Sequence, residues 1–273
     1  MSKTEMSAVF NGPGTVDLVD FIAAHCALSK AAIKRGLTFG GGWIKPAGQS
    51  SFKRCRKAKA CVKTGDTCAF YFDAELIAKQ LPAPQVIFDS QHFGIWYKPR
   101  NQVTQGSRYG DANALERHVS QARQKPVWLV HRLDSAACGL VLFAYSAAAC
   151  AKLNHLLQQQ QINKTYQAQV LGHIHVGGKI DTPLDGNSAL TEFTRVAMDE
   201  HTSLVNIRLH TGRFHQIRRH FAYLGHPLLG DPRYGAGNAY AAGLQLVASE
   251  LSFIDPLTHT PVCVTLPREY CLF

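Results

Sequence analysis

Leu129–Ser146 reads LVHRLDSAACGLVLFAYS, which sets His131, Arg132 and Asp134 between two apolar runs. Burying such groups unpaired costs several kcal/mol, so either the chain surfaces here or these charges have partners and a task. A second cluster, TGRFHQIRRHFAYLG at 211–225, points to the partner. After a Thr-Gly turn, Phe214, Ile217, Phe221 and Leu224 form a helical apolar stripe. Arg218 borders that stripe, while Gln216 and Arg219 point more nearly outward. An arginine beside a buried face requires a carboxylate, and Asp134 is the natural candidate. A guanidinium favours an ionised carboxylate, which can then serve as nucleophile or general base. The same two residues also read as a structural buried ion pair, and residue chemistry leaves both readings open.

Other chemistries fit worse. His215 and His220 lie roughly 140° apart around a helix, so they do not share a metal. No C-x-x-C pair occurs among the eight cysteines, which removes the usual zinc spacing. GGGWIK lacks the ending of a phosphate loop, and no G-x-S-x-G elbow is present. Glycoside hydrolysis needs two carboxylates where one is well placed.

The elements that must hold these residues are legible in outline. Residues 16–27 have helical spacing, and LSKAAIKRG reads as a second helix capped by Ser29 and ended by Gly36. Short strands follow, in LTFGGGWIKP and CVKTGDTCAFYFD. KQLPAPQ suits an extended connector. VIFDSQHFGIWYKP then reads as two strands, and a helix starts after Ser146. KTYQAQVLGHI and LVNIRLH alternate as strands, with Tyr166, Ala168 and Val170 on one face and Val205, Ile207 and Leu209 facing inward. Strands outnumber helices without regular alternation, so the expected class is α+β, a mixed and mostly antiparallel sheet flanked by helices. The expected division is a small basic α/β module at 1–75, a linker at 76–86 and a larger domain at 87–273.

Net charge of +10 over 273 residues points to an anionic partner such as nucleic acid, with a basic surface kept for solubility as the alternative. The charge concentrates at 45–63, where Lys53, Arg54, Arg56, Lys57 and Lys59 alternate with apolar residues and no acid occurs. That pattern suits a folded basic face that binds a phosphate backbone. The N-terminus lacks a signal-peptide core, and no apolar run is long enough for a membrane span. These features predict a reduced, cytoplasmic protein with free thiols.

HRLD, KTYQAQVLG and TGRFHQIRRHFAYLGHPLLGDPRYG occur in this order, and together they resemble the RluA-type family of pseudouridine synthases over roughly residues 87–267. KIDTPL and ALTEFTRV fit the family's pattern between those motifs. Residues 16–72 resemble the small αL-type RNA-binding module often fused ahead of such a domain. The resemblance implies an enzyme that isomerises uridine in structured RNA, ribosomal RNA first and transfer RNA second, with no metal or other cofactor; a monomer is the expected state. It implies that Asp134 is the essential aspartate, Tyr166 the tyrosine that stacks on the target base, and Arg218 the arginine paired with the aspartate. It gives Arg132 the role of entering the RNA stack as the uridine flips out, which is needed because a stacked base hides its glycosidic bond. His131, Arg213 and Gln216 join the RNA-binding set. The family usually has a charged residue and then Thr-Ser-Gly after the aspartate, where this chain has Ser135, Ala136, Ala137, Cys138 and Gly139. A catalytically silent RNA-binding or ribosome-assembly protein of the same fold is the alternative.

Overall fold

The computed structural model describes residues 3–271. Two compact units emerge: one comprises the chain up to Ala83 together with Gln105–Ala122, the other Pro84–Thr104 together with the chain from Arg123 onward.

The first unit contains β1 (Thr4–Val9), β2 (Thr15–Asp17), α1 (Leu18–Ala23), α2 (Lys30–Phe39), β3 (Gly42–Lys45), β4 (Lys53–Arg54), β5 (Cys61–Lys63), β6 (Thr67–Phe72), α3 (Ala74–Ala78) and most of α4 (Leu115–Arg123). Its sheet runs β1-β6-β3-β4, and β2 pairs separately with β5. Leu18, Ile22, Ile33, Leu37, Val62 and Phe70 fill its core. Val16, expected to start a helix, lies instead in β2 opposite Val62, and Asp17 caps α1 by accepting the Val19 amide. Ser29 caps α2 as its sequence suggests, but the helix runs through Gly36 to a left-handed cap at Gly40, φ 98°. The reason is packing: a Cβ at Gly36 would lie 2.6 Å from the Phe70 ring.

Residues 105–122, which the sequence assigns to the larger domain, fold with this first unit. Trp43 Nε1 donates to the Arg108 carbonyl at 2.9 Å, Arg54 Nη2 to that of Ser107 at 2.9 Å, and Asn113 Nδ2 to that of Leu76 at 2.8 Å. Long-range hydrogen bonds of this kind leave no trace in local periodicity.

The second unit contains β7 (Gln85–Asp89), β8 (Phe93–Lys98), β9 (Trp128–Leu129), β10 (Cys138–Ala144), α5 (Ala147–Gln158), β11 (Asn163–Leu171), β12 (Gly177–Ile180), β13 (Thr191–Met198), β14 (Thr202–Leu209), α6 (Gln216–Tyr223), β15 (Leu246–Ile254) and β16 (Pro261–Thr265). The sheet order is β12-β13-β14-β11-β15-β10-β8-β7, with β16 on β15 and β9 on β10. Only β10–β15 is parallel among the described pairings, so the α+β expectation holds. Tyr166, Ala168 and Val170 are all buried from β11, as the alternation predicts. Every residue of β10 is buried, which explains its unbroken apolar run as a strand covered on both faces.

β10 delivers the His131–Asp134 loop to the sheet's end, and its entry depends on Gly139. This residue has φ 116°, and a Cβ there would lie 2.3 Å from the Ala248 carbonyl oxygen of β15. Gly139→Ala is expected to lose about 3 kcal/mol or more of stability, read as a lower denaturation midpoint, because backbone strain and overpacking add.

Candidate active site

The loop after β9, the start of β11 and the N-terminal end of α6 enclose a cavity of about 820 Å³, lined among others by Arg132, Asp134, Lys164, Tyr166, His215 and Arg218. Three residues far apart in sequence, Asp134, Tyr166 and Arg218, therefore share one cleft as expected.

The Asp134 loop is fixed through its backbone. Thr104 Oγ1 accepts the Leu133 amide at 3.1 Å and donates to the Leu133 carbonyl at 2.8 Å. The buried Lys98 ammonium donates to the carbonyls of Ser135 (3.1 Å) and Gln102 (2.7 Å). Cys138, also buried, donates its thiol to the Leu246 carbonyl at 3.7 Å. The Ser135–Cys138 run is thus anchored at both ends, by the Lys98 ammonium on the Ser135 carbonyl and by the Cys138 thiol.

Arg218 makes its strongest contact elsewhere than expected. Its Nε and Nη2 donate to Asp231 Oδ2 and Oδ1 at 2.8 and 2.7 Å, a bidentate pair whose side chains are 5% and 0% exposed. Nη1 remains for Asp134 Oδ2, at 3.5 Å. Asp231 Oδ1 also accepts the amides of Arg233 (2.8 Å) and Tyr234 (3.1 Å). Burial favours a neutral Asp231, but the Arg218 and backbone hydrogen bonds outweigh it and hold the carboxyl below its ordinary pKa. Likewise, burial works against a charged Arg218, and the Asp231 and Asp134 contacts overcome it and raise its pKa. Asp231 was missed by the sequence reasoning, although GDPRYG lies within the third motif. Its signal is an Asp inside a Gly-Pro turn, which reads locally as ordinary turn chemistry.

His215 was also missed. It precedes α6 with φ 53°, stacks on Phe214 at 3.8 Å between ring centroids, and sets Nδ1 3.1 Å from the Tyr234 hydroxyl. Nε2 lies 3.6 Å from Asp134 Oδ2. Burial lowers the pKa of His215, with Asp134's charge opposing, so the ring is neutral at pH 7 and meets Asp134 as a dipole. The helix begins at Gln216. That start leaves Phe214 off the expected apolar stripe and 52% exposed at the cavity's edge.

Tyr166 is buried on β11, where a register shift falls between Thr165 and Tyr166. Burial, reinforced by Asp134's charge, pushes its phenol far above the usual range, so at neutral pH it offers a ring face and an O–H donor.

The remaining RNA-binding expectations divide. Arg132 is exposed at the cavity, and so is Arg213, whose Nε donates to the Ser188 carbonyl at 2.9 Å. Gln216, expected to point outward, is buried. Its Oε1 accepts from Thr211 Oγ1 (2.8 Å) and the Arg213 amide (2.9 Å), and its Nε2 donates to Thr191 Oγ1 (2.9 Å) and the Leu190 carbonyl (3.1 Å). It braces the turn ahead of α6, with its amide consumed by the protein. His131 lines the cavity, yet its Nε2 accepts the Leu142 amide at 3.2 Å, and burial, helped by Lys164's charge, pulls its pKa down to about 3. It is a neutral part of the loop's frame.

In the first unit, Lys53, Lys57 and Lys59 are exposed, whereas Arg54 and Arg56 are half-buried. Arg54 stacks 4.2 Å above Trp43 and donates to the Gly40 carbonyl, and Arg56 pairs with Asp111. Two of the five expected phosphate contacts are thus engaged within the module.

Two outcomes follow. Asp231→Ala leaves a buried guanidinium uncompensated and is expected to cost about 3–5 kcal/mol, read by denaturant unfolding. His131 is neutral when folded and titrates near pH 6.5 when unfolded, so its contribution is intact above about pH 6.5 and declines towards pH 3. His131→Gln should flatten that part of the stability–pH curve.

The sequence matches the family described as RNA pseudouridylate synthase over residues 92–223. It is 35% identical over 187 residues to a ribosomal large subunit pseudouridine synthase D of Vibrio vulnificus, covering 61% of this chain and 57% of that one. With the protein of the same name from Escherichia coli it shares 31% over 205 residues, 67% of this chain and 63% of the relative. The chain thus spans somewhat over half the length of these relatives. Against a dual-specificity RNA pseudouridine synthase RluA of Vibrio vulnificus the identity is 31% over 212 residues, covering 69% of this chain and 85% of that protein. Human RNA pseudouridylate synthase domain containing 1 has a similar fold, with TM-score 0.59 at 21% identity, covering 69% of this chain and 86% of that one. With 31% identity across 85% of the RluA relative, the chain belongs to the RluA-type family of RNA pseudouridine synthases.

Proposed function

We propose that this chain isomerises uridine to pseudouridine in RNA, with ribosomal RNA as the main substrate and transfer RNA as a further class. The observation that carries this reading is a single cavity lined by the Asp134 carboxylate, the Tyr166 ring and the Arg218 guanidinium. In the reaction the N1–C1′ bond breaks, the uracil turns, a C5–C1′ bond forms, and C5 loses a proton while N1 gains one. Atoms and electrons balance within the substrate. Asp134 supplies the negative charge at the ribose, as nucleophile at C1′ or as a base beside it, with Arg218 holding its position. Tyr166 stacks on the detached base and assists the proton change at C5 through its neutral hydroxyl. Arg132, exposed beside the cleft, fills the space a flipped nucleotide vacates.

The ribosomal preference is supported by the names of the large-subunit relatives and by Lys53, Lys57 and Lys59, which remain open to a phosphate backbone in the basic module. All eight cysteines are unpaired, and no helix among the described residues is long and apolar enough to cross a membrane. Free thiols suit the cytoplasm, where we expect the chain to act as a monomer.

Asp134→Ala is expected to lower pseudouridine formation in unmodified large-subunit rRNA by about a hundredfold or more while RNA affinity survives. Undiminished product would remove Asp134 from the mechanism. Matching pseudouridine maps with and without the protein would instead favour a silent RNA binder.

A further inference from the structure

Lys164 is a charged group in the cavity that the reaction chemistry leaves without a task. Asp134 is the only acidic lining residue among the described ones, against Arg132, Lys164, Arg208, Arg213 and Arg218. Arg218 is committed to carboxylates, and Arg208 Nη2 donates to Asn163 Oδ1 at 2.8 Å. The Lys164 ammonium has neither an ion pair nor a hydrogen bond among the described residues, and the side chain is half-buried. A lysine stem normally carries its ammonium out to bulk water or to a carboxylate, whereas this one ends inside the cavity with no carboxylate paired to it, an unspent cation facing the cleft. Burial accordingly lowers its pKa.

Its location gives the unspent charge a ligand. Lys164 and Tyr166 leave the same face of β11, two residues and about 7 Å apart. A nucleotide's base and phosphate are likewise separated by one sugar. On the α6 side, a Cβ added at Gly212 would come within 3.8 Å of the Lys164 Nζ, so the glycine turn leaves room beside the ammonium. A compact ammonium suits a phosphate as a point charge.

We propose that Lys164 forms an anion subsite that binds a phosphodiester of the RNA strand whose base enters the cavity. The subsite deepens the RNA reading above and rests on it for the identity of the strand. Once occupied, it ties the nucleotide at its backbone while Tyr166 engages the base, which fixes the ribose between them beside Asp134. It also gives a task to a partly buried charge that the rest of the cavity leaves unused.

The test uses the intact chain with uridine 5′-monophosphate and uridine as probes, read by ligand-observed NMR titration, together with thermal unfolding. Wild-type protein is expected to bind the monophosphate about tenfold more tightly than the nucleoside. Lys164→Met should lose that preference with an equal or higher Tm, and Lys164→Arg should keep part of it. Equal binding of the two probes by wild type, or a preference retained in K164M, overturns the subsite. So does a lower Tm in K164M, which marks a lysine that holds the fold. Because no isomerisation is read, failure of the rRNA activity assay and failure of this subsite are separate results.

Discussion

The cavity rests on a guanidinium taken out of water. Arg218 projects from the first turn of α6 into a site where an unpaired charge would be untenable, and the fully buried Asp231 makes it tenable through two parallel hydrogen bonds. That pairing fixes the plane of the guanidinium and leaves one nitrogen facing Asp134. Asp231 is itself immobilised by two backbone amides. The consequence is a directional chain: a rigid turn holds a carboxylate, which holds an arginine, which faces the carboxylate assigned to the chemistry. A pair of this kind contributes orientation more than net stability, because its desolvation cost offsets most of its attraction.

Around this axis the protein arranges neutral groups. His131, His215 and Tyr166 are all driven towards their uncharged forms by burial. Asp134 is therefore surrounded by dipoles, one committed cation and an aromatic ring, in a cleft where Arg132, Lys164 and Arg213 supply positive potential. Such an environment strengthens electrostatic interactions with a polyanion and with charge that develops at a sugar carbon.

Much of this was legible in the sequence where period and chemistry agreed. Alternation identified the buried face of β11, Ser146 marked the start of α5, and the apolar run after Asp134 became the fully buried β10. Arg218 was recognised as needing a carboxylate, and Asp134 was placed within its reach. What failed shares one cause: long-range partners override local pattern. Gly36 looks like a helix stop until Phe70 occupies the space its side chain would need. Gln216 looks like a surface residue until four hydrogen bonds enclose it. Arg54 and Arg56 look like phosphate contacts until Trp43 and Asp111 engage them, and residues 105–122 join the first unit through hydrogen bonds that no periodicity encodes.

If the Arg218–Asp231 pair orients the chemistry proposed at Asp134, Asp231→Asn must disturb it. The measurement is the single-turnover rate of pseudouridine formation on an unmodified large-subunit rRNA transcript, with RNA affinity determined in parallel at a temperature where the variant is folded. The expected rate is at least about tenfold lower with affinity preserved, because one hydrogen bond of the bidentate pair becomes repulsive or is lost. A D231N protein that turns over at the wild-type rate would contradict it.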